Sequence, residues 1–126
     1  MAHTRLQVSE KAVVGGVVLV LVGEVDFGTI DILDDALVSA TAPVVVADLA
    51  AVTFIDSVGL TTLVRAHRDL EDEGGRLALA GAGEGVRRVM EITGIDHVLA
   101  LYPTVRAALN PVNPESIERR YSSGAV

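Results

Sequence analysis

Residues Val44 to Gly59 read VVVADLAAVTFIDSVG. The run from Val44 to Leu49 is nearly all apolar, which marks a strand buried on both faces, as in a parallel sheet. Ala50 to Ile55 reads as a short connection. Asp56-Ser57-Val58-Gly59 then opens a long helix that reaches about Glu73 and is ended by Gly74-Gly75. Leu60, Leu63, Val64, His67 and Leu70 recur along one side of it at helical spacing. At about 100° per residue, Ser57, Thr61, Arg65, Arg68 and Asp72 share a different side, with Val58 next to it. Ser57 is therefore expected on the solvent-reachable rim, at the entrance to the helix. Either Asp56 or Ser57 suits the capping position there.

Upstream of this stretch, Leu6, Val8, Ala12 and Val14 fall on one parity, as a half-buried strand requires. Gly15-Gly16 supplies a tight turn, and Val17 to Val22 follows as a continuous apolar strand, so the chain opens with a hairpin. Gly23-Glu24-Val25-Asp26 leaves that strand. Thr29 is placed to cap a helix carrying Ile30, Leu33, Leu37 and Ala40, with Asp31, Asp34 and Asp35 in early turns that favour acids. Downstream, Arg76 to Ala80 is a strand and Gly81 to Gly85 a flexible link. Val86, Val89 and Met90 mark a helix stopped by Gly94. A short strand near Val98 to Leu101 and a helix from Thr104 to Leu109 complete the pattern. The expected class is α/β: a mixed, mostly parallel sheet behind an N-terminal hairpin, with about four helices packed against it. Residues 1–110 form the domain, and 111–126, with Pro111, Pro114 and Ser122-Ser123-Gly124, read as a flexible tail.

Composition narrows the functions open to such a domain. The 126 residues give room for one core, and half of them are hydrophobic. With no Trp, two Phe and two Tyr, that core is aliphatic, and a platform for stacking bases is missing. The net charge of −7 repels nucleic acid and anionic membranes, and steers towards the chain any partner with a basic patch. The absence of cysteine removes thiol chemistry and thiolate metal sites. No signal peptide or membrane-length apolar segment is legible, so a cytoplasmic location is expected.

The run DLAAVTFIDSVGL, followed by GGRLALAG and EGVRRVMEITGI, strongly resembles the STAS family of anti-sigma factor antagonists, and the earlier GEVD resembles that family's Gly-Glu-x-Asp segment. The resemblance runs from about Leu6 to Leu109. It implies a STAS fold and a bacterial partner-switching role in transcription. In that role the unphosphorylated protein binds an anti-sigma factor and frees a sigma factor. The anti-sigma factor is itself a serine kinase that phosphorylates the antagonist, and a serine phosphatase resets it. The acceptor maps to Ser57. Val58 departs from the second Ser that many members carry at that place, which leaves a single acceptor in the motif. The expected partner-binding surface comprises Glu24 and Asp26, which the match places near the acceptor, with Asp56, Ser57, Val58, Gly59 and Thr61 at the helix start and Arg65 on the same helix face; Arg65 and Arg68 otherwise read as a solvated face. The chain is expected to be a binding module rather than an enzyme, to need no cofactor or metal, and to be a monomer or weak dimer.

Plainer readings stand beside these. Asp48, at the end of a buried strand, suits a structural acceptor for loop N–H groups. The glycines from Gly81 to Gly85 lack both the GK[ST] of a phosphate loop and the GxGxxG register. His3, His67 and His97 have no ligand spacing, and His67 reads as a packing residue. A receiver-type phospho-aspartate enzyme needs a late lysine, whereas the one lysine is Lys11. A stand-alone STAS sensor or scaffold that binds a nucleotide or other small ligand is the alternative function on the same fold.

Overall fold

Val17 to Val22 forms the middle of a ten-residue strand, β2 (Gly16–Val25), and everything else is arranged to cover it. The computed structural model describes residues 5–110, so the expected tail lies outside the described residues. Around β2 the chain runs β1 (Gln7–Val13), α1 (Ile30–Ser39), β3 (Val44–Ile55), α2 (Ser57–Asp72), β4 (Arg76–Ala80), α3 (Glu84–Thr93), a 3-10 turn (Ile95–His97), β5 (Ala100–Tyr102) and α4 (Val105–Leu109). The five strands lie in sequence order across one sheet. The β1–β2 hairpin is antiparallel and each later pair is parallel, which gives the mixed α/β sheet expected from the sequence.

That order decides where the helices go. Parallel strands added always in one direction by right-handed crossovers place every crossover helix on the same face. Residues of α1, α2 and α3 accordingly share one core with one parity of the strands: Leu33 and Leu37, Leu60 and Leu63, Val86 and Met90 pack with Leu19, Leu21, Val45, Ala47, Leu77 and Leu79. The opposite parity, Val18, Val46, Ala78, Ala80 and Tyr102, packs with Ala107 and Ala108 of the short α4. Arg76 ties that helix down: its Nη2 donates to the Ala108 carbonyl at 2.6 Å. Burial lowers the Arg76 pKa from its usual value, against the opposing influence of Tyr102.

Several boundaries differ from the sequence reading. Ala50 to Ile55 is not a connection; β3 continues through it to Ile55. The pairing of β2 with β3 slips between Val20 and Val22, and again between Gly23 and Glu24, each time with an extra residue in β3. Such bulges break the period of two, so the buried residues become Leu49, Val52 and Ile55 and the alternation that marks a strand disappears. Ala12 and Val14 are exposed, Val14 almost completely, at the tip of the β1–β2 hairpin. Glu84 and Gly85 belong to α3 rather than to the link before it, and β5 starts two residues later than Val98. Thr29 occupies the cap position of α1 but makes no capping hydrogen bond with its side chain.

The core assignment is open to a direct test by urea denaturation. Leu63→Ala, at a fully buried position, should cost about 2–5 kcal/mol. Val14→Ala should stay within about 0.5 kcal/mol of the parent, and a loss comparable to that of Leu63→Ala would place Val14 in the core after all.

Candidate functional site

The bulged end of β3 carries the chain beyond β4, whose pairing stops at Asp48–Ala80, and delivers it to the start of α2 beside the end of β2. Gly23 makes the matching bend in β2. Its φ of +120° is a left-handed conformation, and a Cβ at this position would run into the Arg5 carbonyl. Glu24 then lies opposite Phe54 and Val25 opposite Ile55. The ladder closes with the Asp56 N–H donating to the Val25 carbonyl at 3.1 Å. Two strand ends are thereby joined beneath the helix entrance.

Asp56 is the N-cap of α2. Its Oδ1 accepts from the Gly59 N–H at 3.0 Å, and its Oδ2 accepts from the Phe27 N–H at 3.1 Å. This settles the capping question in favour of Asp56 and leaves the Ser57 hydroxyl uncommitted to the cap. Ser57 is the first residue of the helix and is exposed. Val58 is half-buried, while Thr61, Arg65 and Arg68 are exposed along the same helix. Gly59 is buried, and a Cβ on it would lie 2.6 Å from Val25 Cγ1 and 3.0 Å from Ile55 Cγ1. Its part in the site is to let α2 rest directly on the two strand ends.

Asp26 organises the facing loop. Its Oδ1 accepts from the N–H groups of Gly28 at 2.9 Å and Thr29 at 3.1 Å. Thr29 is buried; its hydroxyl donates to the Glu24 carbonyl at 2.9 Å and accepts from the Asp26 N–H at 3.0 Å. The threonine is thus spent on the loop, which is why it does not cap α1. Arg5, Glu24, Asp26, Phe27, Thr29 and Asp56 line a shallow hollow of about 460 Å³ beside the start of α2.

Of the residues expected at the site, Glu24, Asp26, Asp56, Ser57, Val58 and Gly59 converge on this corner. Thr61 lies one turn along α2. Arg65 lies a further turn away, and its Nη2 meets Asp34 Oδ1 at 2.8 Å in an exposed ion pair, which contributes little stability. Asp48 stands outside the corner and does the structural work expected of it, accepting from the Ala50 N–H at 3.1 Å. His67 is likewise engaged in packing: Nδ1 accepts from the Leu77 N–H and Nε2 lies 3.2 Å from Glu71. Among the described residues no group of His, Asp and Glu is arranged to hold a metal ion, and no helix is long and apolar enough to cross a membrane. The sequence reading missed Arg5, Phe27 and Phe54. Phe27 carried a signal, since it sits between Asp26 and Gly28 outside any apolar period.

The STAS domain family model matches residues 5–108. RsfB of Mycobacterium tuberculosis, an anti-sigma-F factor antagonist, is 31% identical over 108 residues, which cover 83% of this chain and 88% of RsfB. The chain belongs to the STAS family of anti-sigma factor antagonists. A crystal structure of an anti-sigma factor antagonist from Mycobacterium paratuberculosis shares the fold of this STAS protein with a TM-score of 0.76. The two are 34% identical, and the match covers 85% of this chain and 93% of that one. The TM1081 homolog of Thermotoga neapolitana is 36% identical over 64 residues, which span 51% of this chain and 57% of that protein.

Two substitutions test the construction of this STAS corner. Asp56→Ala should cost about 1–2 kcal/mol through the lost cap and should speed amide exchange at Gly59 and Phe27 together. Unchanged exchange at Phe27 would mean that Asp56 does not hold the facing loop. Gly59→Ala should destabilise by about 1–3 kcal/mol through overpacking, offset by at most about 1 kcal/mol of helix propensity. A stabilised variant in thermal unfolding would contradict the close approach of α2 to Val25.

Proposed function

We propose that this protein binds an anti-sigma factor through the corner formed by the start of α2 and the Glu24–Asp26 loop, and that phosphorylation of Ser57 breaks the contact. Binding in the unphosphorylated state withdraws the anti-sigma factor and frees its sigma factor. The anti-sigma factor acts as the kinase. The Ser57 Oγ attacks the γ-phosphorus of ATP, the bond to ADP breaks, and the hydroxyl proton passes to a base on the kinase. A serine phosphatase returns the hydroxyl by hydrolysis. The chain itself is a binding module, with its partners in the bacterial cytoplasm.

The observation that carries this reading is the position of Ser57. It is exposed at the first residue of α2, next to a carboxylate whose two oxygens are both engaged. A phosphoserine adds about −1.5 to −2 charge. The open helix entrance tolerates that anion, so the isolated domain keeps its fold. In a closed interface the same dianion is desolvated beside Asp56, a like charge. Leaving an unpaired charge in such a contact costs about 3–5 kcal/mol. A thousandfold loss of affinity needs only about 4 kcal/mol. Val58 and Thr61 are small and extend the surface along α2, where a partner can approach closely. The relationship to RsfB over 83% of the chain supports an anti-sigma factor as that partner.

A nucleotide-sensing role is less well supported by the same corner. The hollow beside Asp56 is lined by three carboxylates and one guanidinium, which is a poor seat for phosphate groups.

Incubation with ATP and each purified anti-sigma factor kinase of the source organism should add one phosphate, found at Ser57 by fragmentation mass spectrometry. Ser57→Ala should remain unmodified and keep its partner bound when ATP is present. Phosphate at another residue, with Ser57 untouched, would overturn the assignment.

A further inference from the structure

The protein contains two phenylalanines, and neither is used in the core. Phe27 is 79% exposed and Phe54 is 49% exposed. Phe27 adjoins the cap of α2, its N–H donating to Asp56 Oδ2, and Phe54 stands in β3 opposite Glu24, which lines the hollow together with Phe27. A chain that fills its interior with Leu, Val and Ala and leaves its largest apolar side chains in water beside one site has the makings of an interaction hot spot. Both backbones are held in place, Phe27 by the Asp56 carboxylate and Phe54 by the strand pairing. Little ordering entropy is therefore lost when the rings are buried.

The charges beside the rings select the occupant. Glu24, Asp26 and Asp56 share the hollow with Phe27, against a single Arg5. A second copy of this chain, with a net charge of −7, would bring acids against acids. An anionic membrane is repelled in the same way. A protein with an apolar pocket and Lys or Arg on one side of it meets neither obstacle, and long-range attraction speeds its encounter.

We propose that Phe27 and Phe54 are the apolar anchors by which this protein holds its protein partner, inserted into an apolar pocket whose Lys or Arg groups face Glu24 and Asp26. The proposal rests on the reading above that this corner is the partner surface, and it adds where affinity resides. The rings supply the hold, the Glu24–Asp26 side supplies attraction, and Ser57 sits next to both as the place where added charge and bulk are felt. The basic groups of the partner belong on the side away from the Ser57 hydroxyl, so that the phosphate gains no counter-charge on arrival.

The test measures binding of the purified anti-sigma factor kinase that phosphorylates the protein to the full chain and to the Phe27→Ala, Phe54→Ala, Phe27→Leu, Glu24→Gln and Ser57→Glu variants. Each Phe→Ala change should weaken binding at least about tenfold, mainly through faster dissociation; Phe27→Ala should leave the unfolding midpoint at the parent value because that side chain is largely exposed, whereas Phe54→Ala, half-buried, should lower it modestly without unfolding the protein. Phe27→Leu should restore part of the loss. Glu24→Gln should slow association and flatten its dependence on salt. If both Phe→Ala variants bind like the parent while Ser57→Glu binds weakly, the anchors are wrong and the switch stands. If Ser57→Glu binds like the parent while the Phe→Ala variants are weak, the anchors stand and the switch is wrong. A dimer of the free protein that Phe27→Ala dissolves, seen by sedimentation, would make a second copy the occupant and overturn the proposal.

Discussion

One carboxylate holds the corner between β2 and α2 together. Asp56 accepts from Gly59 inside α2 with one oxygen and from Phe27 across the gap with the other. The first bond starts the helix, and the second fastens the Asp26–Thr29 loop to that start. A neutral or longer side chain does not meet both demands as well, because the geometry needs two acceptor oxygens on a short stem and both donors are backbone N–H groups. With the cap assigned to Asp56, the adjacent serine hydroxyl has no duty in the fold. The cap bond of α2 therefore does not depend on the Ser57 hydroxyl.

The rest of the architecture serves to bring these two segments together. Strands laid down in one direction leave α1, α2 and α3 on a single face and align the ends of β2 and β3 at one edge of the molecule. The bulges in β3 and the left-handed Gly23 in β2 then carry both strands past the end of β4. Gly59 lets α2 settle on Val25 and Ile55 with no side chain between. The candidate site is built on strand ends and a helix start rather than on a long loop, so its shape is set by regular elements.

Much of this was legible in the sequence because it rests on local periodicity. The buried run from Val44 to Leu49, the helical spacing from Leu60 to Leu70, and Gly94 after α3 each signal their element within a few residues. The rim position of Ser57 follows from helix geometry alone, and the structure places it there. What was hidden depends on contacts between distant segments. The continuation of β3 to Ile55 is masked by bulges that only pairing with β2 explains. The capping role of Thr29 is cancelled by the Glu24 carbonyl and the Asp26 N–H, and the tie from Phe27 to Asp56 spans twenty-nine residues. Exposure of Phe27 and Phe54 is equally a property of the assembled corner, since apolar residues normally signal core.

The proposed switch requires the fold and the interface to respond differently to the same added charge. On the proposed reading, a phosphate at the helix entrance would meet water and open N–H groups in the free protein, but a closed apolar contact beside Asp56 in the complex. The decisive measurement compares Ser57-phosphorylated with unphosphorylated protein in two assays on the same samples: thermal unfolding, and affinity for the anti-sigma factor kinase. The expected result is a folding stability preserved to within about 1 kcal/mol together with an affinity lowered by about three orders of magnitude. A phosphoprotein that unfolds, or one that holds the kinase as tightly as before, would contradict it.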